Sequence, residues 1–216
     1  MRRSSYNSFY RFVPVLLIII VTIVIVAIVI AVGRTLIGGG DSQGNGGTAT
    51  QVDEGRTALL SSDLSRSVRL TVRGPIVADE KHRSYQITIG PESRVMTTYE
   101  GYIETALEST RLKNNLPAYE ELIHALDKRK MMNGRALAVD QNDLRGICAT
   151  GRVYQFETLM NSSTVRSLWT SDCSGSRGSA EADVGEIVSM FIQQIPDGDK
   201  MARSVGLQQR GSLLSL

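Results

Sequence analysis

"CATGRVYQFETLMNSSTVRSLWTSDC", Cys148–Cys173, carries the reading of the fold. Within "GRVYQFETLM", Tyr154, Phe156 and Thr158 alternate with Gln155 and Glu157. Successive side chains on a strand point to opposite faces, so this alternation predicts a strand. Asn161-Ser162-Ser163 has turn composition, and "TVRSLWT" returns as the partner strand of a hairpin. A hairpin brings its two ends together, and here each end carries a cysteine. The spacing therefore predicts a Cys148–Cys173 disulfide, closing a loop of about 25 residues and stabilising the fold by roughly 3–4 kcal/mol in the chain-entropy account.

Working upstream, "SVRLTVRG" alternates Val68, Leu70 and Val72 with Arg69, Thr71 and Arg73, and "SYQITIG" repeats the pattern with Tyr85, Ile87 and Ile89. "PESR" reads as a turn and "VMTTYEGY" as the antiparallel partner. Pro117, just after Asn115, suits a first helical turn, where its missing N–H costs nothing. "AYEELIHALDKRKMM" then places Tyr119, Leu122, Ile123 and Leu126 on one stripe, with Asn133-Gly134 as the stop. Downstream, Asp183 and Glu186 have cap-and-N3 spacing, and Val184, Ile187, Val188, Phe191 and Ile195 follow at helical intervals before Pro196. "GYIETALESTRLKNN" reads equally as a helix or as an irregular excursion. No internal repeat is visible. The expectation for residues 53–207 is an α+β domain with an antiparallel sheet of about four to five strands, two to three helices and one disulfide.

The rest of the chain has a different character. From Phe12 to Val32 no charged residue occurs, and about twenty residues of helix span a hydrocarbon core of roughly 30 Å. A cleavable leader has a shorter apolar run, so residues 12–33 are expected to be a permanent transmembrane helix. Arg2, Arg3 and Arg11 precede it without an acid, which marks residues 1–11 as a cytoplasmic tail. Residues 34–52 include "IGGGDSQGNGGTATQ", a flexible Gly/Ser-rich linker. Residues 208–216 form a C-terminal tail. Of the 24 basic residues, four precede residue 35, leaving 20 against 22 acids and a net −2 for the expected extracytoplasmic part. That balance offers nucleic acid no electrostatic footprint.

Candidate chemistry is sparse. Two cysteines and two separated histidines give no metal-ligand spacing, and Glu120 with His124 at i, i+4 lacks a third ligand. His82 falls in the charged run "VADEKHRS", Glu104 and Glu108 pair only if their segment is helical, and no cofactor-binding loop is present. "SLWTSDCSGSR", with His124 upstream, resembles the Thr-Leu-x-Thr-Cys segment of sortase transpeptidases. That resemblance implies Cys173 as thiolate nucleophile, His124 as acid/base and Arg177 as oxyanion stabiliser. The departures are that Ser171 and Asp172 separate Thr170 from Cys173, Arg177 follows too closely, and His124 lies on a predicted helix.

"VRGPIVADEKHRSYQITI", "TTYEGYIE", "PAYEELIHALD" and "LWTSDCSGSRGS" together resemble an uncharacterised family of membrane-anchored exported proteins from small-genome, candidate-phylum bacteria. The resemblance covers about residues 66–205 and implies a bacterial cell surface and a cysteine pair, with no activity attached. Type IV pilins resemble this layout less, because their cleavage Gly before the apolar run and Glu within it are missing. The resulting expectation is a membrane-tethered extracytoplasmic binding or assembly module with a protein partner at the surface and no cofactor. A cysteine transpeptidase is the alternative.

Overall fold

Strand alternation in the sequence becomes a six-stranded antiparallel sheet in the computed structural model, which describes residues 54–135, 137, 142–176 and 178–208. In chain order come α1 (Glu54–Leu60), β1 (Arg66–Arg73), a short 3₁₀ turn (Asp79–Lys81), β2 (Arg83–Ile89), β3 (Ser93–Glu100) and β4 (Thr105–Lys113). These are followed by α2 (Leu116–Lys128), β5 (Val153–Met160), β6 (Ser163–Ser171), α3 (Val184–Gln193) and α4 (Gly198–Ser204). The spatial order is β4-β3-β2-β1-β5-β6. β1 is thus central, flanked by a three-strand meander on one side and the β5–β6 hairpin on the other. The fold is α+β.

Strand parity divides the residues between two faces. On one, Val68, Leu70 and Val72 register with Ile89, Ile87 and Tyr85 across β2, and with Thr158, Phe156 and Tyr154 across β5. The helices cover this face: Tyr119, Leu122, Ile123 and Leu126 from α2, and Ile187, Val188, Phe191 and Ile192 from α3, join those strand residues in the main core. The opposite face is polar, with Arg69, Thr71 and Arg73 registering with Thr88, Gln86 and Ser84. At its β5–β6 side a smaller second core forms from Cys148, Val153 and Trp169, with Leu137, Leu144 and Ile147 packed against it.

Local chemistry explains the boundaries. The Asn115 side chain accepts from the Ala118 N–H at 3.0 Å to cap α2, and Asp183 accepts from the Glu186 N–H at 3.2 Å to cap α3. Each cap satisfies an N–H that the helix leaves without an internal partner. α2 ends earlier than Asn133-Gly134: Lys130 adopts φ 61°, and the Met131 N–H turns back to the Leu126 carbonyl at 3.1 Å. Met131 and Met132 then enter the main core from a turn rather than from the helix.

The segment read as helix or excursion is neither. Residues 101–104 turn, and 105–113 form β4, raising the sheet from the expected four or five strands to six. β4 is an edge strand whose side chains are mostly exposed. Glu104 and Glu108 accordingly lie in a turn and a strand, not on one helix face. At the other edge, the N–H groups of Ser179 and Ala180 both donate to the Trp169 carbonyl at 2.9 Å, capping β6. Gly178 makes this approach feasible, since a Cβ there would lie 2.2 Å from the Trp169 oxygen.

The described residues belong to one compact unit whose core residues all fall between Ala58 and Leu207, so a fragment starting at residue 51 retains its whole core. Among the described residues, no helix is long and apolar enough to cross a membrane. The span expected at 12–33, the linker at 34–52 and residues 209–216 lie outside them.

Candidate functional site

Cys148 and Cys173 are bonded, with Cα atoms 5.5 Å apart, and the β5–β6 ladder explains why. Val153 pairs with Ser171, and the Asp172 N–H extends the pairing to the Arg152 carbonyl at 3.0 Å. The chain ends leaving the hairpin are therefore adjacent. The bond fastens the segment Leu144–Cys148 against the second core, where Leu144, Ile147 and Cys148 surround Val153 and Trp169. The Trp169 indole N–H donates to Asn142 Oδ1 at 3.0 Å, pinning the start of the same segment.

This fastened segment forms one wall of a half-open cleft of about 540 Å³. Arg73, Gly74 and Val153, from the ends of β1 and β5, lie at its base, and Ile76, His82, Tyr102 and Glu104 line the far wall. The lining is mostly apolar, with a few polar groups converging on it. Concave apolar sites of this size are the usual form of ligand pockets.

The far wall is braced. The Tyr102 hydroxyl donates to the Val77 carbonyl at 2.8 Å and accepts from the Val77 N–H at 3.0 Å. The Tyr102 N–H donates to Asp79 Oδ1 at 2.8 Å. His82 is 5% exposed, and its ring stacks on Tyr102 with centroids 4.1 Å apart. Nδ1 of His82 faces the Pro75 carbonyl at 3.4 Å, and since a carbonyl only accepts, Nδ1–H is the donor of this contact and Nε2 is the acceptor in the neutral ring. Glu104 holds φ 57°, a left-handed conformation costing a non-glycine residue about 1–2 kcal/mol. Beside it Ile103 is 86% exposed, with Ile76, Val77 and Tyr102 also presenting apolar surface.

Charges at the cleft are already paired. Arg73 lies 3.6 Å from Glu104 Oε1 and donates to Gln155 Oε1 at 2.8 Å. Arg145 Nε donates to Asp143 Oδ1 at 2.9 Å. The guanidinium, and then the Arg145 backbone N–H, hold the Asp143 carboxyl down at about 2.

The sequence-derived transpeptidase set is not assembled. Cys173 has no thiol, His124 is exposed on α2, the helix that packs on the opposite face of the sheet, and Arg177 lies outside the described residues. Among the described residues no group of three or more His, Cys, Asp or Glu side chains is placed to hold a metal ion. His82, read as part of a charged loop, is instead nearly buried at the cleft. No local pattern announces the site, because its walls come from three stretches remote in sequence, 73–82, 102–104 and 144–153. No family model matches this chain, and none of the curated proteins matches it either.

Proposed function

We propose that the chain is a membrane-tethered extracytoplasmic binding or assembly module at a bacterial cell surface, with residues 1–11 in the cytoplasm and residues 12–33 as the anchor. The observation that carries the binding reading is the cleft between the disulfide-fastened segment and the braced Tyr102 turn. A turn held by three hydrogen bonds that nevertheless projects Ile103 into solvent favours a surface built for contact. The disulfide supports an oxidising compartment, and Arg2, Arg3 and Arg11 before the apolar run support an outward-facing head.

Two measurements on intact cells test this reading. Added protease should remove the head from cells while a cytoplasmic control protein survives. A photo-crosslinking residue replacing Ile103 should give a discrete adduct that the same residue at Leu64, exposed near the opposite end of β1, does not. A protected head removes the topology, and equal labelling at both positions removes the cleft as the binding surface.

A further inference from the structure

The ligand class follows from which groups at the cleft remain unsatisfied. We infer that the cleft takes an uncharged aliphatic chain bearing one O–H or N–H donor, an inference that rests on the binding reading above. Arg73 is already matched by Glu104 and Gln155, and Arg145 by Asp143. An anionic or cationic ligand would find its countercharge engaged and would leave water for an apolar lining, which penalises an unpaired charge heavily. An aliphatic chain instead gains contact with Ile76, Leu144, Ile147 and Val153, all of which line the cleft. One polar preference remains. With Nδ1 of His82 turned to the Pro75 carbonyl, Nε2 is the ring nitrogen left to accept a hydrogen bond, and His82 lines the cleft. A hydroxyl or amide N–H on the chain satisfies it, whereas an ether does not.

The test uses the fragment 51–216, oxidised, with four probes of matched length: 1-octanol, its ether analogue 1-methoxyheptane, octanoate and octylammonium. Binding is read from saturable NMR shifts of the Ile76 and Val153 methyl groups. The expected order is octanol first, the ether weaker, and both ions at least about ten-fold weaker than octanol, a gap of about 1.4 kcal/mol. Ile76→Glu should abolish saturation while Leu64→Glu leaves it unchanged. His82→Phe, which keeps an aromatic ring against Tyr102, should erase the octanol-over-ether preference while the ether still binds.

Ions binding as well as octanol would overturn the ligand class yet leave a working cleft. Absence of saturation by any probe, or shifts produced only by phosphatidylcholine vesicles, would also overturn it, the second in favour of a bilayer contact. If the fragment dimerises and Ile76→Glu makes it monomeric without octanol binding, a second copy is the occupant and the inference falls. The Ile103 crosslink on cells tests the binding reading separately, so the two fail independently.

Discussion

The ring of His82 lies 12° from parallel with the ring of Tyr102, and the Tyr102 hydroxyl in turn clasps both main-chain groups of Val77. One phenol thus ties the 3₁₀ turn region to the β3–β4 turn. Tyr102→Phe keeps the stack and removes the clasp. Because Val77 and Tyr102 are exposed, water replaces the lost partners, and urea unfolding should show a cost of no more than about 1 kcal/mol. Octanol affinity should fall several-fold in the same variant, because the far wall loses its brace. An unchanged affinity would show that the wall is held by other contacts.

α3 offers two substitutions of different size on one element. Asp183→Ala removes the cap and should cost about 1 kcal/mol. Phe191→Ala empties a fully buried site between helix and sheet, and should cost about 3–5 kcal/mol through transfer and cavity effects. Denaturant unfolding of the oxidised head measures both. A neutral Phe191→Ala would contradict the packing of α3 on the sheet.

The disulfide predicts a pattern across variants. Cys148→Ser, Cys173→Ser and the double replacement should each cost about the same, roughly 3–4 kcal/mol, because all three remove one crosslink. Thiol labelling of the native, unreduced head should find no free thiol. The single tryptophan sits in the second core beside this bond, so reduction should change Trp169 emission while the far-ultraviolet spectrum keeps its shape. A single thiol that labels rapidly without reductant would return Cys173 to consideration as a nucleophile.

Burial pushes the Tyr119 hydroxyl up to about 12 and raises that of Tyr85 further. The neutral phenol is the form the fold accommodates, and the unfolded phenol titrates near 10. The associated stability is therefore fully present below about pH 10 and is lost as pH rises through 10 toward 12. Ultraviolet titration of the head follows the two buried phenols. Tyr85 and Tyr119 should ionise later, together with unfolding. Early ionisation of every phenol while the fold persists would contradict their burial.

Elements whose pattern reports burial were readable in the sequence; those without it were not. β1 and β2 alternate cleanly because one of their faces enters the core, and α3 announces itself through Asp183 and a continuous apolar stripe. β4 gave no such signal, since an edge strand with no buried position has no reason to alternate, and the left-handed Glu104 that precedes it is not a glycine. α1 and α4, seven residues each, are too short for a helical period to stand out. The disulfide was legible because the hairpin joins two cysteines that are close in sequence. The cleft was not, since Arg73, His82, Tyr102 and Leu144 become neighbours only when β1, β2 and β3 are registered and the fastened segment folds over them.

Val153 and Tyr154 are consecutive on β5 yet belong to different cores, Val153 beneath the fastened segment and Tyr154 beneath the helices. A single layer of backbone therefore separates the main core under the helices from the residues that shape the cleft. Such a partition lets side chains at Ile76, Leu144 or Ile147 be exchanged while the helix-covered side stays unchanged. It also gives a protein engineer a defined surface to randomise.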